Sequence, residues 1–147
     1  MRFVCDVMLG KLAKYLRILG FDAVYAASPA ALDRCRVHDG DRILLTRRKG
    51  PSPFARTVRI ESENAAEQLR EMKALIKPAI SRSAVFGRCI ECNVALIEAG
   101  KADVEPRIPE FVYHHYTRFK LCPSCKRVYW EGSHTHGMAA LLEEVLS

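Results

Sequence analysis

Phe3-Val-Cys-Asp-Val-Met-Leu-Gly-Lys-Leu-Ala-Lys-Tyr-Leu-Arg-Ile-Leu-Gly20 changes periodicity at its fourth residue. Phe3-Val4-Cys5 is a short apolar run that reads as a strand, and Asp6 ends it. Leu9, Leu12, Ala13, Leu16 and Leu19 then recur at spacings of three and four, which is one face of a helix. Lys11, Lys14 and Arg17 fall on another face, and Gly20 stands where a helix would stop. The stretch is a strand-to-helix junction with a carboxylate at its turn. Asp6 therefore has two readings. It caps the helix by accepting from its first free N–H groups, or it is a site carboxylate at the carboxyl end of a parallel strand, where α/β sheets keep their ligands.

The pattern repeats outward. Phe21 to Ala26 reads as a second strand, and Pro29 opens a short helix over Ala30 to Val37. Asp39-Gly40-Asp41 is a turn, Arg42 to Thr46 a buried strand, and Arg47 to Pro53 a basic loop with two prolines and a glycine. Thr57 to Glu61 alternates like a strand. Asn64 with Glu67 is a capping pair for a helix running to about Ile76, with Leu69, Met72, Leu75 and Ile76 apolar. Strand and helix alternate, which predicts a mostly parallel α/β sheet with helices on its faces. Lys77-Pro78 ends this part, so we expect an α/β domain over residues 1–80 and a second unit over 81–147.

The second unit is organised by Cys89-Ile-Glu-Cys92 and Cys122-Pro-Ser-Cys125, with 29 residues between the pairs. Two such pairs complete a four-sulfur tetrahedral shell, the pattern of a structural zinc site with no open position for substrate. Two disulfides or four unrelated thiols are the alternatives; the N-terminus has no export signal, which disfavours disulfides. Cys5 and Cys35 read as buried reduced thiols. Ala99 to Glu110, with Gly100, Pro106 and Pro109, reads as a loop. Phe111 to Phe119 mixes aromatic, basic and histidine side chains that either stack on bases or pack against the ribbon. Arg127 to Trp130 reads as a strand, and a last helix carries Leu141, Leu142, Val145 and Leu146. Those residues either cap the core or meet a protein partner.

Net charge is +6 and unevenly placed. Residues 1–88 hold 17 Lys/Arg against 9 Asp/Glu, and residues 89–147 hold 6 against 8. Between Arg42 and Ile60 lie Arg47, Arg48, Lys49, Arg56 and Arg59 with no acid. A basic first half suits a polyanion; the plainer alternative is a solvated surface. No apolar run reaches the roughly 20 residues of a membrane span. We expect a soluble, cytoplasmic chain with no membrane partner.

In these residues the chain resembles the C-terminal RNase domain of the Mut-seven exoribonuclease, a PIN-like α/β nuclease fold followed by a zinc ribbon. The resemblance rests on Phe3 to Asp22, Arg42-Ile-Leu-Leu-Thr-Arg47, the two cysteine pairs, and Val128-Tyr-Trp-Glu-Gly-Ser-His134. It implies RNA cleavage by Mg²⁺ or Mn²⁺ held on several carboxylates at the strand ends, with Asp6 as the first of the set. This chain departs from the pattern. The family reads Leu-Leu-Thr-Arg-Asp after the third strand, where this chain has Leu44-Leu-Thr-Arg-Arg48. The family opens its second helix with an Asp, where this chain has Ser28-Pro29-Ala30 and Asp33 a turn later. Asp22 matches the family but belongs to a strand edge, and Asp39 and Asp41 lie at the opposite end of the third strand.

An arginine beside Asp6 neutralises a cation site and favours phosphate. The expected protein is therefore an RNA binder on a nuclease scaffold, with Asp6 a vestige of the catalytic set. Lys11, Lys14, Arg17, Arg47, Arg48, Lys49 and His134 are the expected nucleic-acid contacts. Cys89, Cys92, Cys122 and Cys125 are the expected zinc ligands. Structured RNA, the ribosome or another ribonucleoprotein is the expected partner. The alternative is an active Mg²⁺- or Mn²⁺-dependent ribonuclease in which Asp22, Asp33 or Glu131 joins Asp6.

Overall fold

The computed structural model describes residues 1–130 and 139–147. Strands β1 (Arg2–Cys5), β2 (Asp22–Tyr25), β3 (Ile43–Thr46) and β4 (Arg56–Arg59) form one sheet in the order β2-β1-β3-β4. All three pairings are parallel. Helix α1 (Gly10–Ile18) joins β1 to β2, and α2 (Pro29–Asp39) joins β2 to β3.

The strands read as apolar runs because both faces of the sheet are covered. Phe3, Cys5, Ile43 and Leu45 point to one face, where α1 lays down Leu9, Leu12, Ala13, Leu16 and Leu19. Helices α3 (Ala65–Glu71) and α4 (Lys73–Ile76) bring Leu69, Met72 and Ile76 to the same layer. The predicted single helix is divided at Met72, which ends α3 and begins α4. Val4 and Leu44 point to the other face, against Leu32 and Cys35 of α2 and against Phe54. No helix joins β3 to β4. The nine residues 47–55 cross over as a loop, and Phe54 fills the space a crossover helix would cover.

Asn64 Oδ1 accepts from Glu67 N–H at 2.9 Å and starts α3 as its sequence predicts. Gly20 ends α1 at φ +95, and a Cβ there would sit 2.5 Å from Ala84 O, so both the turn and the packing need glycine.

The second half begins with the first cysteine pair, followed by β5 (Ile97–Ala99), β6 (Phe119–Leu121) and β7 (Val128–Trp130), an antiparallel sheet in that order. The stretch expected as a loop over residues 99–110 is not one. It carries α5 (Lys101–Val104) and a 3₁₀ turn, Glu105–Arg107. Val104 is fully buried with Val112, Phe119 and Val128, and this packing outweighs the breakers around it. Pro106 sits in the first turn of its helix, where the missing N–H costs nothing. Helix α6 (Glu110–His115) follows. Helix α7 (Ala139–Leu146) returns to the first sheet, where Leu141, Leu142 and Val145 join the core of α1 and α3. Its apolar face is the core cap, not a free docking surface. Among the described residues, no helix is long and apolar enough to cross a membrane.

Candidate functional site

Strands β1 and β3 are central neighbours, and the chain leaves them in opposite directions. From β1 it passes over one face to β2; from β3 it passes to β4 on the far side. The carboxyl ends of two such strands bound a crevice, the usual ligand position in an open parallel sheet. Asp6 follows β1 and Thr46 closes β3, so the topology places these two side chains together at that crevice.

Asp6 is 3% exposed. Its Oδ1 accepts from Val7 N–H at 2.8 Å, and its Oδ2 accepts from Thr46 Oγ1 at 2.8 Å. Thr46 Oγ1 in turn accepts from Arg48 N–H at 3.0 Å. The Arg48 guanidinium reaches back, with Nε 3.3 Å from Asp6 Oδ2. A buried carboxylate needs such partners to remain charged. Asp6 does not cap α1, whose N-cap is Leu9 with no side-chain bond. The capping alternative fails because the chain makes a further turn, through Val7 and Met8, before the helix begins.

Beyond Asp6 the crevice opens into a cleft of about 110 Å³. Arg48, Lys49 and Arg59 line it together with Leu32, Pro51 and Pro53, and among the described residues Asp6 is the sole acid in the lining. The other expected carboxylates are elsewhere. Asp22 is at the amino end of β2, held by Arg42 at 2.8 Å and by Asn93 Nδ2 at 2.7 Å. Asp33 pairs with Arg36 on the exposed side of α2. Asp39 and Asp41 bind Arg2 at the amino end of β3. Glu131 and His134 lie outside the described residues.

The expected basic contacts divide. Arg48 and Lys49 line the cleft, and Arg47 Nη2 donates to Glu61 O at 3.2 Å. Lys11 lies over the Tyr15 ring at 5.9 Å, and Lys14 pairs with Glu91 at 3.2 Å. Arg17 is a correction. It is only 8% exposed, with Nε donating to Ala23 O at 2.8 Å and Nη1 to Ile90 O at 2.6 Å. Burial lowers its pKa from the usual arginine value. The cysteine half covers it, so it ties the two halves together and offers nothing to a phosphate. Thr46 is not among the expected contacts; its signal is its place as the last residue of a buried strand. Arg59, at the end of the basic segment Arg47 to Arg59 expected to grip phosphates, also lines the cleft.

The four Sγ atoms of Cys89, Cys92, Cys122 and Cys125 lie within 4.8 Å of one another. Among the described residues this is the one group of three or more His, Cys, Asp or Glu able to hold a metal ion. Both pairs build the same knuckle. Cys92 N–H points to Cys89 Sγ and Cys125 N–H to Cys122 Sγ, each at 3.4 Å. The residue after each pair is left-handed, Asn93 at φ 61 and Lys126 at φ 65. Four thiolates at about 2.3 Å from zinc stand roughly 3.8 Å apart. Cys89 Sγ and Cys125 Sγ are 3.8 Å apart, so the group fits a metal such as zinc. The backbone N–H of Arg127 leads the effects that lower the Cys125 thiol to about 7, toward the thiolate a metal requires.

The first knuckle is seated on the sheet edge. Asn93 Oδ1 accepts from Ala23 N–H at 3.0 Å and its Nδ2 donates to Asp22. An edge N–H of β2 is thereby covered by the left-handed residue of the knuckle.

A family model described as the Mut7-C RNAse domain matches residues 1–142 of the chain, and the chain belongs to that family. No curated protein and no solved structure is matched.

Proposed function

We propose that this member of the Mut7-C RNAse domain family binds RNA at the carboxyl end of its parallel sheet and has lost most of the family's cleaving power. The observation that carries this reading is Arg48 Nε at 3.3 Å from Asp6 Oδ2. Metal-assisted phosphoryl chemistry needs carboxylates that gather Mg²⁺ or Mn²⁺ around a water and the scissile phosphate. Among the described residues, the one carboxylate that lines the cleft faces a guanidinium. A guanidinium there repels a divalent ion twice as strongly as a monovalent one, less the screening that its 57% side-chain exposure allows.

Lys49 and Arg59 beside Arg48 supply charge for phosphate. Structured RNA, ribosomal RNA included, is the partner class that the basic first half supports. The cysteine group holds a structural zinc in this reading and takes no part in chemistry. Its four thiols fit a reducing, cytoplasmic setting.

Binding of a structured RNA at 50 and 200 mM salt tests the proposal. Three phosphate contacts give an affinity loss of roughly 20- to 40-fold over that range. In Mn²⁺ the RNA should stay intact. Metal-dependent cleavage that disappears in Asp6→Asn would establish the active ribonuclease instead.

A further inference from the structure

Strand β7 serves two cores. Val128 and Trp130 turn toward Val104, Val112 and Phe119, while Tyr129 between them turns the opposite way, to Cys89 and Cys122. Tyr129 is buried, and a buried hydroxyl takes its partners from the protein. Two of them belong to the first cysteine pair. Tyr129 Oη lies 3.1 Å from Cys89 Sγ and accepts from Ile90 N–H at 3.3 Å. On the carbonyl side of the same residue, Arg17 Nη1 donates to Ile90 O at 2.6 Å. A side chain from the strand after the second pair therefore reaches the knuckle of the first and engages both its sulfur and its backbone.

Chemistry fixes the direction of the bond to sulfur. A cysteine that holds a metal is a thiolate and has no proton to give. A phenol keeps its proton at neutral pH. Ile90 N–H takes an oxygen lone pair, so the hydroxyl accepts there and donates to Cys89 Sγ at once. The need for a donor is clear from burial. Cys89 and Cys122 are both fully buried. A dication on four thiolates leaves two negative charges, and a buried sulfur cannot share them with water. Cys92 N–H points to Cys89 Sγ at 3.4 Å, and the phenol at 3.1 Å is the closer donor. Hydrogen bonds to an ionised acceptor in a low dielectric are the strong ones.

We infer that Tyr129 is a positioning residue of the four-cysteine metal site: its hydroxyl donates to the Cys89 thiolate, fixes the first knuckle and draws electron density from that sulfur. The inference rests on the metal reading of the cysteines and adds a residue that sets the affinity and the electronic character of the site. Partners that hydrogen-bond to metal ligands carry roughly 10- to 100-fold in metal affinity. Hydrogen bonds to a ligating sulfur also tune how readily it gives up an electron.

Tyr129→Phe removes the hydroxyl and keeps the ring. The full reduced chain and this variant are titrated with Co²⁺, and with Zn²⁺ against a chromophoric chelator. The unaltered chain should give the intense visible bands of tetrahedral Co²⁺ and a sulfur-to-cobalt charge-transfer band. In the variant the visible bands should keep their intensity, and zinc affinity should fall roughly tenfold. The charge-transfer band should move to longer wavelength, because a sulfur without its donor gives up an electron more easily. A tyrosine that only packs would weaken the metal and leave the band in place. A band that stays in place, or zinc affinity within about twofold of the unaltered chain, would overturn the inference and leave the metal reading standing. Absence of the tetrahedral sulfur spectrum from the unaltered chain would remove both. A second measurement needs no variant. With a spin-half isotope of Cd²⁺ on the four sulfurs, the Tyr129 hydroxyl proton should exchange slowly and couple to the metal through Cys89 Sγ. A hydroxyl proton without that coupling overturns the inference even where the variant does not fold.

Discussion

The two ends of the four-stranded sheet treat charge in opposite ways. At the amino end, Arg42 clamps Asp22 with both Nη groups, at 2.8 and 3.1 Å, and Asp39 with Nε at 2.7 Å. Arg2 bridges Asp39 and Asp41, each at 2.6 Å, and Asn93 completes Asp22. Acids and arginines there are mutually engaged, and the result is structural. At the carboxyl end one acid meets Arg48, while Lys49 and Arg59 add positive charge that no other acid among the described residues lining the cleft balances. Among the described residues, positive charge is left over at the end where parallel sheets bind ligands. The same residue types therefore act as mortar at one end and, in the function proposed above, as a ligand surface at the other.

With zinc on the four cysteines, as proposed above, its removal should break this contrast most strongly. Structural zinc sites carry on the order of 10 kcal/mol of binding free energy. Chelation should unfold the antiparallel sheet and release Asn93 from the edge of β2. Hydrogen exchange should then speed up at Ala23 N–H, which Asn93 holds, and change little at Val7 N–H, which Asp6 holds. Equal loss of protection at both amides would show that the two ends are not independent.

Next in size is Arg42→Met, which strips Asp22 and Asp39 of their shared partner. Breaking a buried pair costs about 3–5 kcal/mol; with both carboxylates partly exposed, about 2 kcal/mol is expected here from chemical denaturation. RNA affinity should stay within about twofold, since phosphate contacts lie at the other end.

The amino-end network should also respond to pH. Burial pushes the Asp22 carboxyl up, but the bonds from Arg42 and Asn93 outweigh it and leave it below the usual range. Its pairing with the neighbouring Asp41 on Arg2, with the bonds from Arg2 and Arg42, lowers Asp39 to about 2. A carboxyl depressed in the folded state contributes stability above its unfolded value, near 4, and that stability is lost as pH falls toward the folded value. The melting temperature should therefore drop between about pH 4 and pH 2, and Arg42→Met should flatten that drop. An unchanged profile in the variant would sever the link to this network.

The smallest effect on stability belongs to Arg48→Ala. Its guanidinium is largely in solvent, so the change should cost under about 1 kcal/mol. RNA affinity should nevertheless fall about fivefold, readable by fluorescence anisotropy.

Much of the fold was legible because local pattern and tertiary packing agree. Leu9, Leu12, Ala13, Leu16 and Leu19 share a face by spacing, and all five are buried on the sheet. The cysteine pairs were equally plain, since a metal shell constrains residue type and spacing together. What failed to show depended on distant partners. Arg17 sits at helical spacing from Lys14, yet Ile90, 73 residues on, accepts its guanidinium. Helix α5 and the 3₁₀ turn exist because Val104 finds Val112, Phe119 and Val128. In the candidate site, Asp6 and Arg48 could be named in advance from the family pattern. Thr46 as the relay between them could not, because its hydroxyl direction follows from the register of β3 beside β1.

The central claim is that the carboxyl end now receives phosphate without a catalytic metal. Equilibrium binding of a labelled structured RNA, with and without added Mn²⁺ and with the bound RNA then resolved on a denaturing gel, tests it most directly. The same affinity in both conditions and uncut RNA is the predicted result. Affinity that needs Mn²⁺, with cleavage products absent from Asp6→Asn, would contradict it.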